Sequence, residues 1–375
     1  MARRHTPYYH RFVELGADLG DRIGFDAAVR FSSTRDEHLA TRERAGLYDV
    51  YYQGPIDIKG SDAEALLQKI LVRDVERRLE NGKVLYSSLC NDRGGMIDDL
   101  TCYRHSPEHF WLIATPARAD LVAAWATEQA EGMHAYVTNT ISGTGYLSLQ
   151  GPRSREILSG IADADLGAAA LPYFRFVETV VSEVPTLVSR TGYSGELGYE
   201  LYYPRDYAEH MWDAVLAAGD AAGIEPCGLG ALRSVRMEKA YPLYGLDVSE
   251  ETSPLEAGLA WAVDLEKESF VGHDALLQQD ETGLTRRLAG IEFPDAEFLP
   301  AIGDGVSIDA HPVGAVTSSD TGHFLDRTLA LAYLPPDAVA AHSEVLVTST
   351  EAGASATGTV TDRPFYDPEG ARLRT

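Results

Sequence analysis

The feature that most constrains this chain is an internal repeat. Ile56-Asp57-Ile58-Lys59-Gly60 alternates apolar and polar side chains, as a strand with one buried face does. Ser61 follows as a cap for a helix whose apolar positions are Ala65, Leu66, Leu67 and Ile70. Tyr146-Leu147-Ser148-Leu149-Gln150-Gly151 repeats the strand. There Pro152 suits the first helical turn, and Ile157, Leu158 and Ile161 supply the apolar face.

Each copy leads into a similar series of elements. In the first half, Val84–Asn91, Met96–Arg104 and His109–Thr115 read as antiparallel strands, the first two joined by the turn Asn91-Asp92-Arg93-Gly94-Gly95. A helix at Ala117–Gln129 and a strand at His134–Asn139 close that half. In the second, strands at Phe176–Val181, Thr186–Tyr193 and Gly198–Tyr203 lead into a helix at Asp206–Ala222. Two β-α-β-β-α units predict an α+β core, residues 1–283, built from two ferredoxin-like halves at about 50–140 and 145–226. From 284 to 375 the helical periods stop. Leu288–Phe293, His311–Thr317, Thr328–Tyr333 and Ser343–Thr348, set apart by Gly, Pro and Asp, predict a small antiparallel β-barrel.

A length of 375 residues suits two or three packed domains. The net charge of −25 opposes nonspecific binding to nucleic acid, which depends on cationic neutralisation of phosphate. No apolar run approaches the roughly 20 residues that span a bilayer. The basic start, Arg3-Arg4-His5, lacks the apolar stretch of a signal peptide, so a cytoplasmic protein with no membrane or nucleic-acid partner is expected. Cys90, Cys102 and Cys227 form neither a disulfide framework nor a zinc spacing, and are expected as buried thiols. The histidines show no metal-binding pair, Gly228-Leu229-Gly230 lacks the third glycine of a dinucleotide fingerprint, and no metal is expected.

Two carboxylate-bearing constellations remain. Asp98 and Asp99 come just after the Gly94-Gly95 turn, with side chains on opposite faces of a strand. Neither face is purely polar, so at least one of them sits against apolar neighbours, where an unpaired charge is costly. The second is Ser189–Glu200, a Gly-rich hairpin with Tyr193 and Glu200 on its flanks. An aromatic ring beside a carboxylate suits a flat heterocycle that carries N–H donors. Taken singly, a turn-capping aspartate and an ordinary hairpin explain both.

The chain resembles the aminomethyltransferase family, which includes the glycine cleavage T-protein and folate-dependent demethylases. The resemblance runs from Thr6-Pro7-Tyr8 to Arg363-Pro364-Phe365-Tyr366. It is carried by Gly94-Gly95-Met96-Ile97-Asp98-Asp99-Leu100, the Ser189–Glu200 hairpin, Gly228-Leu229-Gly230-Ala231, Ser253-Pro254-Leu255-Glu256-Ala257-Gly258-Leu259 and Phe270-Val271-Gly272. It implies a three-domain cloverleaf with tetrahydrofolate in its central opening. Asp99 then matches the catalytic aspartate, and Tyr86, Tyr173, Tyr193, Glu200 and Trp261 match residues around the folate. The sequence also departs from the T-protein pattern. Its Asp-Val-Ser-His is Asp49-Val50-Tyr51-Tyr52 here, and an arginine expected in Gly230-Ala231-Leu232-Arg233 is Leu232. A second, expected after Phe365-Tyr366, is Asp367. Ser234-Val235-Arg236-Met237-Glu238-Lys239-Ala240-Tyr241 is closer to the demethylase and dimethylglycine-type branch. The resemblance therefore implies methyl transfer to tetrahydrofolate from a small N-, O- or S-methylated donor, with Tyr51 and Tyr52 as catalytic candidates on the donor side. The alternatives are aminomethyl transfer with a lipoyl carrier protein, methylene transfer after an oxidase partner, and folate binding without catalysis.

Overall fold

The computed structural model describes residues 3–294, 298–349, 353–361 and 364–375. Arg363 of the last resemblance motif lies outside them.

The first half is a five-stranded antiparallel sheet in the order Val84–Cys90, Met96–Ser106, His109–Ile113, Ile56–Lys59, Tyr136–Asn139. The helices Ala63–Ile70 and Ala119–Gln129 bury Leu66, Leu67, Ile70, Val122 and Ala126 against Ile56, Ile58, Phe110 and Leu112. The first of these helices starts later than Ser61. Its N-cap is Asp62, whose carboxylate accepts from the His134 backbone N–H at 2.7 Å rather than capping the helix. The second half is a six-stranded sheet in the order Phe176–Val181, Val184–Ser189, Gly198–Pro204, Thr144–Gln150, Ala45–Tyr48, Ile224–Cys227. Its helix Ala208–Gly219 buries Met211, Trp212 and Val215 against Leu147, Leu149 and Leu201.

The repeat has a steric cause at its two glycines. Gly60 and Gly151 end equivalent strands with φ of +132° and +124°. A Cβ at Gly60 would lie 2.0 Å from the His134 carbonyl oxygen, and one at Gly151 would lie 2.6 Å from that of Arg44. Each turn needs both the positive φ and the missing side chain.

The C-terminal segment is a closed six-stranded barrel: Arg287–Phe293, Arg327–Leu334, His311–Gly322, Gly305–Ile308, Glu344–Thr348 and Ser355–Thr361. Ile291, Phe293, Val306, Val316, Val347 and Val360 fill its interior. Gly305–Ile308 and Ser355–Thr361 were not expected, because each offers few apolar residues and little more than a single Val to the core.

A buried polar cluster joins these parts. The helix Thr34–Glu43 carries Arg42, 1% exposed, and the helix Leu229–Glu238 carries Glu238, fully buried. Arg42 Nε donates to Glu238 Oε2 at 2.8 Å, its Nη1 donates to the Ser194 carbonyl at 2.8 Å, and its Nη2 donates to the Val235 carbonyl at 2.9 Å. Glu238 Oε1 also accepts from the backbone N–H groups of Phe324 and Leu325 in the barrel. Tyr366 donates to Glu196, itself 3.3 Å from Arg42, and lies under the Arg42 guanidinium at 4.1 Å.

Burial alone would raise the Glu238 carboxyl, but His38 and Arg42 outweigh it and hold it down at about 2. His38 is itself pushed down by burial, so at neutral pH it is uncharged and Arg42 is the cation that matters. Arg42→Met removes the buried guanidinium shared by Glu238 and Glu196 and is expected to cost about 3–5 kcal/mol in urea unfolding. The stability gap between parent and Glu238→Gln is present in full above the unfolded glutamate pKa of about 4.3. It closes as pH falls through about 2, because a depressed folded-state pKa stabilises only the ionised form.

Candidate active site

The strand Met96–Ser106 is held by the turn before it. Asn91 Oδ1 accepts from the backbone of Arg93 and Gly95, each at 3.0 Å, and a Cβ at Gly95 would strike the Glu250 carbonyl at 1.8 Å. From that fixed start the side chains alternate. Asp98 points into the interior, where Oδ2 accepts from Thr115 N–H at 2.9 Å and Oδ1 has no partner. Asp99, half-buried on the other face, accepts from the Tyr86 hydroxyl at 2.8 Å. The Tyr86 ring in turn stacks on Trp261, with centroids 5.4 Å apart and planes 16° apart. Trp261 is 59% exposed, and the Arg73 guanidinium lies over its ring at 5.4 Å.

Burial raises both aspartates, and the charge of Asp99 raises Asp98 further. Two adjacent carboxylates in low dielectric do not both ionise cheaply. Asp98 is the deeper and lacks a donor on Oδ1, whereas Asp99 has a phenol donating to it. The proton therefore belongs on Asp98 and the negative charge on Asp99.

Glu200 sits in a cage of hydroxyls. Tyr146 donates to Oε1 at 2.7 Å, Thr191 donates to Oε2, and Tyr103 and Tyr202 approach Oε2 at 3.4 Å each. These donors come from four strands or their ends, and Tyr146 and Tyr202 are register partners. Tyr193 donates to the Pro242 carbonyl at 2.6 Å and packs on Tyr241 at 5.7 Å. Tyr241 neighbours Tyr173, and Tyr173 is close enough to Glu200 to feel its charge. Tyr193 likewise feels Asp99, and Tyr86 feels Tyr193. Asp99, Tyr86, Trp261, Tyr193, Tyr173 and Glu200 thus converge on one region, as do the unexpected Tyr241, Tyr146, Tyr103, Tyr202 and Thr191. The signal for the last group was the run of tyrosines on neighbouring strands facing Glu200. It is legible only once the strand register is known.

Tyr51 and Tyr52 go elsewhere. Tyr52 takes a positive φ of +51°, donates to Asp120 at 2.6 Å and packs on Phe25 at 5.4 Å. Tyr51 has Phe25 as its ring neighbour at 6.4 Å. Neither makes a hydrogen bond or ring contact with Asp99, Tyr86, Tyr193 or Glu200, because the turn after Ala45–Tyr48 directs them to the N-terminal strands. A cleft of about 250 Å³ lies behind the Gly94-Gly95 turn among Glu250, Glu251, Glu256 and Gln279, and Asp99 is not in its lining. All three cysteines are buried free thiols, and no group of three or more metal-binding side chains occurs among the described residues. No helix among the described residues is long and apolar enough to cross a membrane.

Residues 8–267 match the family model of the GCVT N-terminal domain, and residues 286–367 match that of the glycine cleavage T-protein C-terminal barrel domain. The chain belongs to the glycine cleavage T-protein family. It is 40% identical to an aminomethyltransferase of Moorella thermoacetica over 363 residues, covering 97% of this chain and 98% of that protein. It is 38% identical to an aminomethyltransferase of Desulfitobacterium hafniense over 341 residues, covering 89% of this chain and 90% of that protein. The crystal structure of the glycine cleavage system aminomethyltransferase T from Bartonella henselae superposes with a TM-score of 0.88 at 28% identity, covering 98% of this chain and 99% of that one. These relatives carry the aminomethyltransferase name, which favours that alternative over the demethylase reading drawn from the sequence. Two departures from the T-protein pattern have structural places. Leu232 packs against the apolar cluster of Tyr48, Cys227 and Ala231, and Asp367 pairs with the buried Lys239 at 3.2 Å.

The hydroxyl cage makes a graded prediction. Tyr146→Phe removes the short donor to Glu200 and is expected to cost about 1–3 kcal/mol in equilibrium unfolding. Tyr103→Phe, losing only a 3.4 Å contact, costs less. Equal costs would show that Tyr146 does not hold the carboxylate.

Proposed function

We propose that the protein transfers the carbon of an aminomethyl group, presented on a lipoyl-type carrier protein, to tetrahydrofolate. The observation that carries this reading is the stacked Tyr86–Trp261 pair beside the ionised Asp99, in a chain matching named aminomethyltransferases over nearly its whole length. The residues fit a reduced pterin. An exposed indole edge and its stacked tyrosine offer apolar surface to a flat ring, and a half-buried carboxylate takes N–H donors and positive charge. When bound, tetrahydrofolate supplies the nitrogen nucleophiles that accept the carbon.

The chain's own groups do the rest. Asp99 places a fixed negative charge where cationic charge develops, a kind of preorganised contact worth about 3 kcal/mol. Asp98 keeps its proton, so the charge on Asp99 is not spread across two oxyanions. Tyr86 orients the Asp99 carboxylate, and Tyr173, Tyr193 and Tyr241 wall the region with rings whose hydroxyls burial keeps protonated. The reaction balances simply. An aminomethyl thioether that yields its carbon to two N–H groups releases a thiol and ammonia, each taking one displaced hydrogen.

A second reading keeps the region and changes the donor. Leu232 and Asp367 stand where the T-protein pattern has arginines, and this favours methyl transfer from a small methylated compound.

Asp99→Asn keeps the shape and removes the charge. Turnover is expected to fall by about a hundredfold or more, matching a loss of about 3 kcal/mol, while folate affinity changes little. Asp98→Asn mimics the protonated acid and should keep most activity. The assay follows tetrahydrofolate conversion with an aminomethyl-loaded carrier, in parallel with methylated amines, methoxy compounds and sulfonium donors. Turnover only with the methylated panel would establish the second reading. Full activity in Asp99→Asn would remove this aspartate from the mechanism.

A further inference from the structure

The cations around the tyrosine wall of the site are unevenly matched. Lys239 pairs with Asp367 at 3.2 Å, Arg42 with Glu238 at 2.8 Å and Arg372 with Glu196 at 3.7 Å. Arg374 forms no ion pair among the described residues. Its Nη1 donates to the backbone carbonyls of Glu369 at 2.6 Å and Gly370 at 3.2 Å. Its Nε and Nη2 make no hydrogen bond to a described residue, and the side chain is exposed.

The short 3-10 turn Arg372–Arg374 is wedged between the two segments that supply Tyr241 and Tyr173. On one side Asp367 caps it, Oδ1 accepting from the Ala371 backbone N–H at 3.0 Å and Oδ2 from that of Arg372 at 3.2 Å. The same carboxylate pairs with Lys239, two residues before Tyr241. On the other side Arg190 donates to the carbonyls of Leu373 at 3.1 Å and Thr375 at 2.6 Å. Arg190 also donates to the Leu171 carbonyl at 3.1 Å, two residues before Tyr173. Leu373 is buried, so the turn is docked through its middle residue. Gly370 makes room for the guanidinium: its φ is +64°, and a Cβ there would lie 3.2 Å from Arg374 Nη1. Burial raises the hydroxyls of Tyr173 and Tyr241, and the Arg374 charge acts against that rise at both.

We propose that Arg374 receives a carboxylate from the glutamate end of tetrahydrofolate and so makes the site prefer a folate to a bare reduced pterin. This rests on the transfer reading above. One end of a folate is a flat heterocycle with N–H donors, and the other carries carboxylates. Asp99 and Glu200 suit the first end and repel the second. In a chain of net charge −25, the anionic end needs a cation of its own. The Nε and Nη2 donors of a guanidinium match the two oxygens of a carboxylate, and in Arg374 both are unspent. Asp367 stands where the T-protein pattern has an arginine, and here it caps the turn that brings a guanidinium back to the same wall. The departure moves the cation along the chain. Arg73 also borders the site without an ion pair. Its guanidinium lies over Trp261 and donates to the Tyr86 carbonyl at 3.3 Å, and its Nε is buried, so it does not offer that pair of donors.

The test is anaerobic calorimetry on the full chain, comparing tetrahydrofolate with 6-methyltetrahydropterin, which has the reduced ring and no carboxylate. Arg374→Gln should weaken tetrahydrofolate binding about tenfold or more and leave the pterin within about twofold of the parent. Potassium chloride should weaken tetrahydrofolate binding to the parent and do so much less in the variant, since an exposed charge pair is screened. Arg374→Lys keeps the charge and should recover part of the loss. Unchanged tetrahydrofolate affinity in Arg374→Gln, or an equal loss for both ligands, would overturn the proposal. A loss selective for tetrahydrofolate in Arg73→Gln, with none in Arg374→Gln, would place the anion at the other guanidinium and overturn it as well. The two readings fail separately. A parent that binds neither ligand removes the folate reading and this role with it, whereas a variant that binds both ligands like the parent removes the role of Arg374 alone.

Discussion

The Arg42–Glu238 pair is the interaction on which the assembly of this fold depends. One guanidinium ties the helix Thr34–Glu43 to the hairpin at Ser194, to the helix Leu229–Glu238 and, through Glu238 and Tyr366, to the barrel and the segment after it. A buried ion pair is often no better for stability than well-packed apolar residues. Here its value is geometric, because its donors and acceptors take partners from the hairpin, the helix Leu229–Glu238 and the barrel.

That arrangement lets two carboxylates of ordinary sequence take opposite roles. Alternation along Met96–Ser106 puts Asp98 inside and Asp99 toward the opening, and the Tyr86 hydroxyl then decides where the charge rests. Glu200 is treated differently. It is surrounded by the chain's own hydroxyls, so its charge is satisfied before any ligand arrives and its position is fixed by four neighbours.

Much of this is legible in the sequence where the information is local. The expected strand Phe176–Val181 matches to the residue, and the Met96 and His109 strands to within a few positions, because apolar alternation and Gly-rich turns are short-range signals. Ala45–Tyr48 and Ile224–Cys227 escape such a reading, since four-residue strands of this kind carry no clear alternation and pair only with distant segments. The Asp98–Asp99 split comes from strand geometry alone. The tyrosine cage does not, because Tyr103, Tyr146 and Tyr202 meet only through pairing across strands. The direction of Tyr51 and Tyr52 is not legible either: Tyr52 takes a positive φ, and a sequence pattern does not show which way the chain turns there.

The place of Ala45–Tyr48 also shapes how the chain can be made. This strand leaves the ribosome before the first half, yet its partner Thr144–Gln150 is made after that half and its parallel neighbour Ile224–Cys227 comes later still. At about 5–20 residues per second, it waits roughly ten to forty seconds for the second of these. Meanwhile the first half has all five of its strands and can close around its own core. A nascent chain of this protein thus carries a folded sheet together with an unpaired strand reserved for a later one, and in the cell that interval is where its vulnerability to wrong partners is concentrated.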